Sequence, residues 1–263
     1  MEFEHIPNKR ANHVGLLCMN DIRSTLVPDD VLHTISGDVL FYPSSGNDIE
    51  ELVTSFLPVI TKFWFCDLMY MKGMVLPPAI TEDIGFRIEG KSELLGNPNS
   101  VLEEQQPDRP YRHMEPSILK EVYVHEASDN TFEINRRRGF GQYAIAKFSN
   151  KSIGVFVHRG DSMVEGGSGV FYLANKKAKY EPLGKLFDKL STKLADTALI
   201  VTDGSNCQAK FLKKFNFYND ISGAEAYEYH RDKDYRKWGF IWACVGYLSN
   251  KNGPTLIWLV SRI

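Results

Sequence analysis

Residues 38–48 read Asp38-Val39-Leu40-Phe41-Tyr42-Pro43-Ser44-Ser45-Gly46-Asn47-Asp48, and the segment after them decides the expected architecture. A short apolar run closed by turn-forming residues has the pattern of a strand buried on both faces, as in a parallel sheet. Next come Ile49, Leu52, Val53, Phe56, Leu57 and Ile60, at offsets of 3, 4, 7, 8 and 11 from the first. This spacing predicts one apolar face of a helix, with Asn47 or Asp48 available to cap it and Pro58 in its last turn. Lys62-Phe63-Trp64-Phe65-Cys66-Asp67 then repeats the buried-strand pattern. Strand, glycine-containing turn, helix and strand make a crossover unit, which is right-handed in parallel sheets.

Upstream, residues 1–37 are weakly periodic and read as an irregular or short helical lead-in to one domain over 38–263. Downstream, six of the chain's twelve prolines fall between 71 and 116: Pro77, Pro78, Pro98, Pro107, Pro110 and Pro116. Proline interrupts helix interiors and sheet ladders alike, so this stretch is expected to be an insertion, lid or long loop. Residues 131–134 and 142–148 flank Arg136-Arg137-Arg138-Gly139-Phe140-Gly141, which predicts a hairpin with the arginines exposed at its turn. Ser152 to Val157 is a further apolar strand, leading into His158-Arg159-Gly160-Asp161-Ser162 and the glycine-rich Glu165-Gly166-Gly167-Ser168-Gly169. Leu183, Leu186, Phe187, Leu190 and Leu194 form the stripe of a helix over 182–195, followed by a strand at 198–203. Residues 239–248 and 255–261 are separated by a loop short enough to join only antiparallel neighbours. The expected fold is therefore α/β, a Rossmann-like, mostly parallel sheet with helices on both faces, a C-terminal antiparallel hairpin and an inserted proline-rich segment.

Hydrophobic residues make up 43% of the chain and charged residues 24%, ordinary values for a globular protein. The formal net charge of −2 excludes a strongly basic chain that coats nucleic acid by charge alone. The start, Met1-Glu2-Phe3-Glu4-His5-Ile6-Pro7, has neither the basic nor the apolar region of a signal peptide. No apolar stretch approaches the roughly 20 residues of a membrane span. Cys18, Cys66, Cys207 and Cys244 are scattered without a C-x-x-C pair, so neither a disulfide framework nor a zinc site is expected. A cytoplasmic location without membrane contact is the expectation.

Gly46 and Asp67 carry the ligand signal. In parallel sheets ligands bind beyond the carboxyl ends of the strands. Glycine lets a ligand approach the backbone there, and the following helix start offers unpaired N–H groups. An acid about 20 residues further on is placed to accept hydrogen bonds from ribose hydroxyls, and Asp67 follows Gly46 by 21 residues. Neither a G-x-G-x-x-G turn nor a P-loop occurs, so a dinucleotide or a nucleoside triphosphate is not the expected ligand.

In these features the chain is similar to class I S-adenosylmethionine-dependent methyltransferases, over about half of its length. The resemblance implies cofactor contacts from Tyr42, Ser44 and Gly46, a ribose-binding role for Asp67, and S-adenosylmethionine as the cofactor. His158 and Asp161, beyond the strand at 152–157, are the candidate general bases, or Asp161 orients the methyl acceptor. This turn carries one glycine where the family has two or three, and His158-Arg159-Gly160-Asp161-Ser162 stands in place of an Asn-Pro-Pro-Tyr-type box. The alternative is a non-catalytic relative that binds a nucleoside, or a protein partner through residues 71–116 or the arginine hairpin. Nucleic acid is not an expected partner.

Overall fold

Val39–Pro43 forms strand β1, all five residues buried, and Lys62–Asp67 forms β2, its parallel neighbour in register Val39↔Lys62 to Pro43↔Cys66. In the computed structural model the described residues are 13–14, 17–18, 22–23, 27–43, 45, 49–67, 70, 78–80, 85–95, 117–139, 141–159, 172–174, 186–215, 221–248 and 254–263. Ahead of β1 lie two small antiparallel pairs, His13–Val14 with Val27–Pro28 and Leu17–Cys18 with Ile22–Arg23, and a one-turn helix α1, Asp29–Leu32.

Between β1 and β2 runs α2, Glu50–Phe56. Its N-cap position is held by Ile49 without a side-chain cap bond, whereas Asn47 and Asp48 lie outside the described residues. The helix ends before Pro58 because the residue preceding a proline is driven out of the helical region, and Leu57 is extended at ψ 146. Leu52, Val53 and Phe56 pack with Leu40, Phe63 and Phe65, as the spacing requires.

Eight further strands complete the sheet: β3 Phe86–Leu95, β4 Ser117–His125, β5 Asn130–Arg138, β6 Ile153–His158, β7 Leu194–Thr202, β8 Asp234–Lys237, β9 Phe240–Leu248 and β10 Thr255–Arg262. Their spatial order is β8-β9-β10-β7-β6-β1-β2-β5-β4-β3. The five central strands, β7-β6-β1-β2-β5, are parallel, and every other pairing is antiparallel. The remaining described helices are α3 Gly141–Ala144, α4 Leu186–Lys193, α5 Lys210–Lys213 and α6 Gly223–His230, none longer than eight residues.

This overturns the expected Rossmann-like sheet with helices on both faces. The chain builds a ten-stranded mixed sheet in which antiparallel strands extend both ends and the described helices are few and short. The physical reason lies in stretches read as loop or turn. The prolines around 71–116 leave residues 79–97 free of proline, and that window holds the ten-residue strand β3. The three arginines are not a turn: they end β5, whose hairpin partner is the preceding β4, while the stretch after them coils into α3 and a 3-10 turn, Ile145–Lys147. The helix expected over 182–195 ends at Lys193, because Leu194 pairs with Ile153 and starts β7.

Two apolar layers hold the sheet. Phe41, Phe148, Phe156, Leu190, Trp242 and Trp258 belong to one, and Leu40, Val53, Phe56, Phe63, Phe65 and Val155 to the other. Each side chain of this size contributes about 1.5–3 kcal/mol when fully buried.

Within the first layer His230, at the end of α6, is wholly buried. Its ring meets Trp258 at 5.2 Å and Phe215 at 5.6 Å, and its Nδ1 lies 2.7 Å from the Tyr235 hydroxyl. Burial, helped by the Lys233 and Lys214 charges, pushes its pKa from 6.5 down to about 4. The native state therefore holds it neutral. As pH falls through that interval the unfolded chain takes up a proton that the native chain refuses, so stability declines, by roughly 3 kcal/mol in full. Urea midpoints at pH 7 and pH 4.5 should show this loss in the wild type and a smaller one in His230→Gln. Equal losses would remove His230 as the cause.

Candidate functional site at the carboxyl edge of the parallel strands

The chain lays β1, β2 and β5 outward in one direction, then returns to set β6 on the other side of β1. The strand order thus reverses between β1 and β6, and the connections from their carboxyl ends diverge. Such reversals open the crevice in which parallel sheets bind ligands. Tyr42, Asp67 and His158 lie at the carboxyl ends of the three adjacent strands β1, β2 and β6. Ser44, Gly46 and Asp161 lie outside the described residues, as does the glycine-rich 165–169.

The three described candidates differ in setting. Tyr42 is buried in the layer that holds α2. Asp67 is half-buried, and Arg138, the last residue of β5, stands opposite it in register. The Asp67 carbonyl also accepts the Gly139 N–H at 3.3 Å, so β5 stays in step with β2 to its end. His158 is only 1% exposed. Its ring stacks along Phe156 at 6.1 Å and meets Tyr172 edge-on at 5.8 Å. Its Nδ1 lies 3.3 Å from Thr202 Oγ1 and 3.9 Å from Cys207 Sγ. His158 follows the pleat of Phe156 and Asp67 that of Phe65, residues of different layers, so the two side chains leave the sheet on opposite faces.

Several further groups occupy the same edge. Ser45, just past β1, donates its N–H to the Cys66 carbonyl at 3.2 Å, and its Oγ lies 3.0 Å from the Tyr70 hydroxyl. Both residues are buried, and burial raises the Tyr70 pKa. On the other side of the sheet Arg137 stands in register with Cys66 and is 2% exposed. Burial lowers its pKa and pushes the Cys66 thiol up to about 12, so that thiol stays protonated at neutral pH. Lys147 is lowered too, by burial and then by the Arg137 charge. Gly141 opens α3 hard against β1: a Cβ there would stand 2.4 Å from Pro43 Cβ and 2.9 Å from the Tyr172 hydroxyl. At the end of β7, Asp203 Oδ1 accepts from the Ser205 N–H at 2.9 Å and hydroxyl at 2.6 Å, which fixes the exit turn. The Asp203–Ser205 spacing was a legible turn signal, whereas nothing in the local sequence marks Tyr70 or Tyr172 for this edge.

The arginines are buried, contrary to the expected exposed turn, at 3%, 2% and 8% for Arg136, Arg137 and Arg138. Arg136 donates to Glu121 Oε2 at 2.7 Å. A partner-binding surface made of these three side chains is thereby excluded.

A cleft of about 620 Å³ opens at the opposite, amino edge, lined among others by Thr54, Leu57, Thr61, Phe86, His125 and Phe132. It contains none of the candidate cofactor residues. Among the described residues no cluster of three or more His, Cys, Asp or Glu side chains could hold a metal ion, and no helix is long and apolar enough to cross a membrane. Comparison with known proteins finds no family, no curated protein and no solved structure that matches this chain.

Proposed function

We propose that the protein binds S-adenosylmethionine or a related adenosyl nucleoside beyond the carboxyl ends of β1 and β2, as a methyltransferase-like protein whose acceptor is unassigned. The observation that supports this reading is the reversal of strand order beside β1, with the half-buried Asp67 carboxylate one strand away. The carboxylate would accept the ribose hydroxyls, and the bound sulfonium would supply an activated methyl group. The family resemblance assigns contacts with the methionine part to Tyr42, Ser44 and Gly46, and a role toward the acceptor to Asp161.

Titration calorimetry with S-adenosylmethionine and with S-adenosylhomocysteine tests it. Heat of binding is expected for the wild type. Asp67→Ala should weaken affinity by roughly tenfold to a hundredfold, the worth of a charged hydrogen bond of about 1.5–3 kcal/mol. Absence of heat at millimolar ligand removes the reading.

A second reading, a nucleoside-binding or interaction module without catalysis, is favoured by the burial of His158. A general base must reach its substrate, and an imidazole 1% exposed between Phe156, Tyr172, Thr202 and Cys207 is packed as core. Binding without turnover against a panel of methyl acceptors, unchanged by Asp161→Asn, would select it.

A further inference from the structure

Tyr229 sits in the last turn of α6, and of the described residues only it and Ile263 are large apolar side chains left exposed, Tyr229 at 39%. Its ring is held in place by Phe215 edge-on at 5.1 Å and by the buried His230 at 4.8 Å. Over that ring stand two ammonium groups, Lys214 Nζ at 3.8 Å and Lys233 Nζ at 3.2 Å from its centre. They come from different segments, Lys214 from just past α5 and Lys233 from the loop between α6 and β8. The capping box at the start of α6, in which Ser222 and Glu225 bond reciprocally, fixes the helix that presents the tyrosine.

Two like charges gathered over one exposed phenol repel each other, and the repulsion falls when the phenol oxygen becomes an anion or carries one. The two ammonium groups, Lys214 foremost and then the Lys233 charge, lower the phenol's pKa. The other tyrosines with a resolved shift, Tyr70, Tyr123, Tyr227, Tyr235 and Tyr247, move the opposite way, chiefly through burial.

We propose that Tyr229 is a covalent modification site, a nucleophilic phenol that accepts a phosphoryl group and holds the product against Lys214 and Lys233. The donor is a nucleoside triphosphate presented by a separate kinase. The phenol oxygen attacks the γ-phosphorus, the new O–P bond forms as the bond to the nucleoside diphosphate breaks, and the phenol proton passes to the kinase's base. The resulting phosphate carries nearly two negative charges and three acceptor oxygens, which suit two ammonium donors. Nothing in this inference depends on the cofactor reading of the opposite sheet region.

The phosphoryl electrophile diisopropyl fluorophosphate tests it on the intact chain: the phenol oxygen bonds to phosphorus, fluoride leaves and the proton goes to solvent. Peptide mapping by mass spectrometry is expected to find the adduct first and mainly on Tyr229, and Tyr229→Phe should abolish it. Lys214→Met/Lys233→Met should slow labelling severalfold at neutral pH while the urea midpoint stays unchanged, because activation depends on the two charges. Labelling spread over several tyrosines, or a wild-type rate in the double variant, overturns the proposal.

Discussion

Replacing Glu121 with alanine is expected to cost about 3–5 kcal/mol of folding stability, the usual penalty for stripping one partner from a buried ion pair. Glu121 is wholly buried in β4, and its Oε2 accepts from Arg136 of β5 at 2.7 Å. The Lys91 ammonium of the edge strand β3 lies 3.7 Å from the other oxygen. One carboxylate thus ties three neighbouring strands at the end of the sheet that the prolines had obscured. Removing it leaves the Arg136 guanidinium, 3% exposed, in a low-dielectric layer without its carboxylate. Against a typical total of about 5–15 kcal/mol, this is enough to unfold much of the protein near physiological temperature. The double change Glu121→Leu/Arg136→Met should recover most of the loss, since apolar side chains of similar volume replace a buried pair at little cost. Urea denaturation of the three proteins measures both effects. A Glu121→Ala loss under about 1 kcal/mol would mean that water reaches the pair and that this part of the sheet is open.

Gly154→Ala should cost about 3 kcal/mol or more, as a backbone clash in the central sheet with no side chain able to yield. Gly154 lies in β6, where the register with both β1 and β7 shifts between Ile153 and Val155. The added methyl would stand 2.2 Å from the Gly37 carbonyl oxygen and 2.6 Å from Ile35 Cγ2. Glycine at a bulge commonly marks such a close approach. Here it lets residues 35–37 lie across the strand that borders the strand-order reversal. Gly90→Ala in β3 is the control, because nothing stands within 4 Å of its Cβ. Its expected change is about 0.5 kcal/mol or less. Equal effects at the two glycines would show that the approach of residues 35–37 to β6 is not tight.

Local patterning was enough for the elements whose partners are close in sequence. The run at 39–43, the spaced apolar residues from 49 to 60 and the run at 62–67 state a strand, a helix and a strand by hydrophobic period alone, and the structure has those elements. The C-terminal pair, 240–248 with 255–262, follows from the short loop between the strands. The arginines at 136–138 show where this reasoning stops. Charge next to glycine reads as a solvated turn, whereas Glu121, brought alongside by the β4–β5 pairing, compensates Arg136 inside the sheet.

The candidate site divides in the same way. Asp67 at a strand end was legible, because its position depends on the strand that it terminates. The setting of His158 was not. An imidazole after an apolar strand looks like a residue entering a cleft, yet Thr202, Cys207 and Tyr172 enclose it, and all three come from segments at least 14 positions away.

The sequence by itself determined the strand, helix and strand between residues 39 and 67 and which carboxylate would end β2, since hydrophobic period acts over a few residues. Tertiary structure alone decided that the sheet has ten strands, that Arg136 is an interior cation and that Tyr229 lies under two lysines. Those outcomes depend on which distant segments share a low-dielectric layer or a surface corner, and no local pattern encodes that.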